Sequence, residues 1–217
     1  MKKYEAGGDP TAISSGNGDL GGASYGIYQF ASNTGAVESF LIFASKYENE
    51  ALANYGNVLS EFKVNSQEFK ELWKKIGTID PEGFSELQTA YAYEIYYQTA
   101  AQCLREQGYE IENKSNAMKA VVFSRAVQYG SGNIVELYQK ATSRMGYPNL
   151  SYVDSSCFDT NMIIEIYNFL IEECDNATVS ESGSFHSPND WVNGSLDIVD
   201  GLKNRFENEK EDALKML

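Results

Sequence analysis

Apolar residues recur at helical spacing through most of the chain after residue 35, and the polar positions between them fall on opposite faces. Ala36 to Tyr47 is strongly apolar and predicts a buried helix. Asn65-Ser66 followed by Glu68 reads as a helix start, with Gly77 closing the segment. Asp80-Pro81-Glu82 combines a capping acid, proline at the first helical position and a carboxylate near the positive helix end. From there a long helix is predicted as far as Gln107-Gly108, with Tyr91, Ile95, Tyr96, Ala100 and Leu104 on its central face. Asn116–Tyr129 and Gly132–Met145 form a helix pair punctuated by Gly130-Ser131-Gly132. Cys157–Cys174 carries another buried-helix pattern. Asp175–Asn189 reads as a surface loop, and a final helix ends the chain.

The first 35 residues break this pattern. They hold eight of the 18 glycines and few periodic apolar positions, with a short strand or tight turn at Tyr25–Phe30. No internal repeat or linker interrupts the rest. The expectation is one mainly α domain over residues 1–217 (α+β in detail), with a small loop-rich or β lobe at its N-terminal end.

Charge narrows the chemistry. Against 17 Lys and Arg stand 31 Asp and Glu, a net charge of −14, which argues against a nucleic-acid backbone as partner. The single histidine, His186, excludes zinc sites that need two, and no metal or cofactor is expected. Cys103, Cys157 and Cys174 form no close pair and are expected to be small buried residues. No apolar run is long enough to span a membrane, and no secretory signal is visible at the start.

Three acids lie in the glycine-rich lobe: Glu5, Asp9 and Asp19. Glu5 precedes Ala6-Gly7-Gly8, a small-residue setting where burial would hold a carboxyl protonated for general-acid work. Asp19 lies between Gly18 and Leu20-Gly21-Gly22, where backbone can approach a ligand closely. Two carboxylates in unlike environments suit glycosidic bond cleavage. The plainer reading is that Asp9 caps a turn before Pro10 and Asp19 makes an Asx turn, and spacing alone does not choose.

The run from Tyr4 to Gly35 resembles the N-terminal signature of bacterial and phage peptidoglycan hydrolases of the lysozyme-like superfamily. These occur as phage lytic domains and as C-terminal effector domains of type VI secretion spike proteins, with chitosanases and goose-type lysozymes as relatives. Its carriers are Glu5, the glycine-flanked Asp19 and Tyr25-Gly26-Ile27-Tyr28-Gln29. Val121 to Gly130 is similar to a later family helix that ends in a Ser-x-Ala-Val-Gln-x-Gly motif, here Ser124 to Gly130, and Leu202 to Glu209 resembles its closing Arg-Phe-x-x-Glu segment, here Arg205 to Glu209.

The resemblance implies a lysozyme-like fold with a saccharide cleft between lobe and helical body. Within it, Glu5 would be the general acid and Asp19 the second carboxylate, with Asp9 as the competitor for that role. It implies a muramidase that cuts the β-1,4 bond between N-acetylmuramic acid and N-acetylglucosamine, by inversion if the chitosanase likeness holds. Peptidoglycan strands are the expected partner, and the setting is a module of a longer protein delivered to the bacterial wall. Ser24, Tyr25, Gln29 and Gln128 would line the substrate; equally, Ser24 caps a turn, Tyr25 is core and Gln128 is a satisfied structural amide. Tyr91, Tyr93, Tyr96 and Tyr97 offer either stacking surfaces or core packing, as do Trp73 and Trp191. Chitosanase, lytic transglycosylase and a non-catalytic glycan-binding module stay open as alternatives.

Overall fold

The computed structural model describes residues 8–14, 22–181 and 183–217. The chain forms two compact units, Met1–Ile95 and Tyr96–Leu217.

In the first unit a hairpin of β1 (Ser24–Tyr25) and β2 (Phe30–Ala31) leads into four helices, α1 (Ala36–Ala44), α2 (Glu50–Leu59), α3 (Gln67–Ile79) and α4 (Pro81–Ala92). The strand or turn expected at Tyr25–Phe30 is this hairpin. Ser66 caps α3 by accepting from the Phe69 amide at 3.1 Å, and Asp80 caps α4 by accepting from Gly83 at 2.9 Å. Helix α3 runs through Gly77, which the sequence reading takes as its stop, because the Asp80-Pro81 junction supplies the real boundary. Helix α2 has no counterpart in the sequence reading. Its start is local all the same: Asn49 accepts from Ala51 and Leu52, and Leu52, Ala53, Gly56 and Leu59 form the buried stripe.

The core of this unit is aromatic. Trp73 is fully buried, with the rings of Tyr25, Phe40 and Phe84 5.2, 5.5 and 4.8 Å away. Phe30 stacks on Phe40 at 5.4 Å and meets Tyr91 edge-on at 5.1 Å.

The long helix expected from Asp80 to Gln107 is interrupted. After α4 the backbone widens into a π-helical turn, Tyr93–Gln98, before α5 (Thr99–Glu106). A π turn carries more residues per revolution, which rotates the buried face. Tyr91, Tyr97, Ala100 and Leu104 are therefore buried, Ile95 and Tyr96 are only half-buried, and Tyr93 is 42% exposed.

The second unit contains α5, α6 (Asn116–Tyr129), α7 (Ile134–Arg144), α8 (Asp159–Asp175) and α9 (Leu196–Lys215). Ser115 caps α6 through the Met118 amide at 3.1 Å. Its hydrophobic core is continuous from Tyr97 to Ala213 and includes Tyr138, Ile166, Tyr167 and Phe206. The expected loop at 175–189 carries structure: β3 (Thr178–Val179), β4 (Phe185–His186) and β5 (Asn193–Gly194) form a three-stranded antiparallel sheet. The strands are only two residues long, too short for a period-2 pattern to show. His186 is exposed on β4, and of the cysteines only Cys174 is buried, Cys103 being half-buried and Cys157 exposed.

The described residues show the mainly helical class, with few strands. None of the described helices is long and apolar enough to cross a membrane.

Candidate functional site

Glu5 and Asp19 lie outside the described residues. The described chain resumes at Gly8 and, after residue 14, at Gly22, and these stretches are hydrogen-bonded to each other. Ile13 bridges Tyr25 in antiparallel register; Ser14 donates its amide to the Ser24 carbonyl at 2.9 Å, and the Gly26 amide reaches the Ala12 carbonyl at 2.7 Å. The Ser24 amide in turn donates to the Ser14 hydroxyl at 2.9 Å. Residues 12–14 thus add a third strand-like edge to the hairpin.

Two buried side chains staple this lobe to the helices. The Trp73 indole N–H donates to the Pro10 carbonyl at 2.9 Å, and the Gln88 amide nitrogen donates to the same oxygen at 3.0 Å. The other end of Gln88 accepts from the Ile27 amide at 2.9 Å. Gln88 is fully buried, so both its polar ends need partners, and one side chain ties residue 10 to the hairpin turn. Gly26 makes room for it: at φ +71° a β-carbon there would stand 2.2 Å from the Gln88 oxygen. Replacing Gly26 with alanine is expected to destabilise the protein by about 2–4 kcal/mol through left-handed strain and overpacking. An unchanged midpoint in thermal denaturation would contradict this account of the turn.

Asp9 accepts from both the amide and the hydroxyl of Thr11, at 2.8 and 2.7 Å, the local turn bonding open to an aspartate before proline. Ser24 is buried on β1. Tyr25 is fully buried, and its hydroxyl donates to the Asn65 side chain at 2.9 Å; burial pushes the phenol above its ordinary range. Asn65, itself at φ +71°, donates on to the Ser32 hydroxyl at 3.0 Å. Gln29 is exposed at φ +53°, where its side-chain amide donates to the Gly26 carbonyl at 2.8 Å and closes the turn. Sequence reasoning missed Gln88, which stands in no motif, and read Asn65 only as part of a helix start; each acts through partners distant in the chain.

In the second unit the two remaining motif segments meet. Arg125 on α6 and Glu209 on α9 form an ion pair at 2.5 Å with both side chains wholly excluded from solvent. The same Glu209 oxygen accepts from Ser124 at 2.9 Å and Tyr167 at 3.0 Å, and its other oxygen accepts from Arg205 at 2.7 Å. Burial alone would raise the Glu209 carboxyl, but Arg125 and Arg205 outweigh it and hold the group below the usual carboxylate range. The Arg125 guanidinium lies 5.1–5.8 Å from the rings of Phe206, Tyr167 and Tyr129, and its Nε and Nη1 are buried with no hydrogen-bond partner among the described residues. This cluster is an internal brace. Gln128, one turn on, is half-buried, and its carbonyl oxygen is buried with no hydrogen-bond partner among the described residues.

No group of three or more His, Cys, Asp or Glu suited to a metal ion occurs among the described residues.

The model of a protein family described as "Type VI secretion system spike protein VgrG3-like, C-terminal" matches residues 1–210. The type VI secretion system spike protein VgrG3 of Vibrio cholerae serotype O1 (strain ATCC 39315 / El Tor Inaba N16961) is 35% identical over 130 residues. That alignment covers 59% of this chain and 12% of the relative, so the chain spans a small part of that protein's length. Both findings correct the resemblance to lysozyme-like peptidoglycan hydrolases: they point to a VgrG3-like C-terminal domain instead. A glycine-flanked acid and a tyrosine turn report a local backbone requirement, which unrelated folds can share.

Proposed function

We propose that the chain, which belongs to the VgrG3-like C-terminal family of type VI secretion spike proteins, is the effector region of a spike and cleaves peptidoglycan glycan strands. In this reading Glu5 protonates the departing glycosidic oxygen and Asp19 activates the attacking water, an inverting displacement. What supports it is the order of the nearest described chain. Glu5 stands three residues before Gly8 and Asp19 three before Gly22, and the described residues 12–14 and 24–26 are tied into one small platform. Catalysis by two carboxylates needs them held at a set separation, roughly 6.5–9.5 Å for inversion, and rigid supports make that possible. Glycine-rich chain left unbraced would not hold it. The spike setting also accommodates the net charge of −14, since delivery by a larger assembly removes the need for electrostatic attraction to an anionic wall.

Mass spectrometry of fragments released from purified peptidoglycan tests this directly. The expected products are muropeptides with reducing N-acetylmuramic acid ends. Fragments lighter by one water would replace hydrolysis with a transglycosylase route, and the release of no fragments would leave a binding module and overturn the enzymatic reading.

A further inference from the structure

We propose that the outer face of α7 is a second saccharide site, one that seats a wall glycan against the exposed rim of the otherwise buried Trp191 and receives a carboxylate of its stem peptide on Lys140. The proposal rests on the wall-glycan reading above and assigns it a binding surface in the second unit. An open groove of about 770 Å³ runs along α7, with Gln107, Gln139, Lys140 and Phe169 in its lining. That is within the range of small-molecule sites, about 300–1,000 Å³. At Glu136 it adjoins a smaller hollow of about 210 Å³ bounded by Tyr129, Asn133 and Trp191.

The lining chemistry selects the ligand class. Aromatic edges beside side-chain amides suit a ring with apolar faces and a hydroxyl or N-acetyl periphery. Tyr129 meets Trp191 edge-on at 4.9 Å, and the Tyr129 hydroxyl is buried with no hydrogen-bond partner among the described residues. Buried polar atoms are rarely left so, and burial keeps this phenol protonated as a donor. Asp190, which also lines the hollow, is held at φ +60°, a conformation that a non-glycine residue adopts at a cost and that is concentrated at functional sites.

The two cations of the groove differ in availability. Arg144 is committed, with bonds of 2.6–2.9 Å to Glu165 and Glu172. Among the described residues Lys140 has loose contacts, 3.5 Å to Glu136 and 3.5 Å to Asn189, and its ammonium stands 5.5 Å from the Phe169 ring centre. One loosely held cation is too little for a polyphosphate and enough for a single carboxylate, the charge that a muramyl peptide has and a plain N-acetylglucosamine oligomer lacks.

The chain contains two tryptophans, so Trp73→Phe leaves Trp191 as the sole indole fluorophore. In this variant, with Glu5→Gln added to stop turnover, muropeptide and N-acetylglucosamine tetramer are both expected to shift the Trp191 emission. Adding Lys140→Gln should weaken muropeptide binding about five- to tenfold and change tetramer binding less than about twofold. Amide chemical shifts along α7 in the Glu5→Gln protein provide the same readout if Trp73→Phe fails to fold. No response at Trp191 or α7 to either sugar, while the wild type still cleaves peptidoglycan, overturns this site alone. Equal weakening for both sugars by Lys140→Gln removes the carboxylate from the proposal. Fragment release that survives Glu5→Gln strikes the catalytic reading instead and leaves the groove result standing.

Discussion

Replacing Glu209 with alanine is expected to destabilise the second unit by about 3–5 kcal/mol, because it strands the Arg125 guanidinium in a solvent-free core. The charge could be relieved only by moving water or backbone into a site walled by Phe206, Tyr167 and Tyr129. Arg125→Met should cost less, since Glu209 keeps Arg205, Ser124 and Tyr167 as partners. Changing both to apolar residues, Arg125→Met with Glu209→Leu, should recover most of the loss, as an apolar pair of similar volume often matches a buried ion pair. Chemical denaturation at neutral pH measures all three, and a loss under about 1 kcal/mol for Glu209→Ala would contradict the brace.

The sign of the pH dependence follows from the same carboxyl. Its folded pKa lies below the ordinary value of 4.5, so the stabilisation is complete above that value and is lost as pH falls through the folded pKa. Wild type should therefore lose stability in acid faster than the Arg125→Met, Glu209→Leu double variant. Equal acid profiles would show that Glu209 does not titrate in the way its surroundings require.

Glutamine at position 5 is expected to lower the rate of peptidoglycan cleavage about 100- to 10,000-fold, the usual contribution of a general acid. Glutamine preserves size and hydrogen bonding but has no proton to give the leaving oxygen. An unchanged thermal midpoint would show that the fold is intact, and reducing ends released from purified peptidoglycan measure the rate. Asp19→Asn should have a comparable effect if that residue activates water. If cleavage survives Glu5→Gln, the acid is elsewhere; if it survives Asp19→Asn, the second carboxylate is elsewhere, and its competitor Asp9 is already bonded to Thr11.

The fold was legible where the signal is local. Asp80-Pro81 and Ser66 announce helix starts, and the hairpin at Tyr25–Phe30 follows from glycine placement. The π turn at Tyr93–Gln98 was not legible, because the residues that form it read equally well as regular helix. Nor was the role of Gln88, an amide in mid-helix whose partners lie 61 and 78 residues away. The segments around Ser124 and Arg205 stood out in the sequence as motifs, yet only their three-dimensional meeting shows them to be one buried brace. The lysozyme-like resemblance drew on short glycine-rich and tyrosine patterns, and the family match over residues 1–210 outweighs them.

The carbonyl of Pro10 accepts from two helices at once, Trp73 on α3 and Gln88 on α4. Its detachment would break both bonds together and, through Gln88, loosen the Ile27 amide as well. In the language of hydrogen exchange, residues 10–14, the hairpin and the two helices then open as a single cooperative unit. Random drift at position 88 is accordingly limited by two backbone sites at once, a constraint that helix propensity at that position would never reveal.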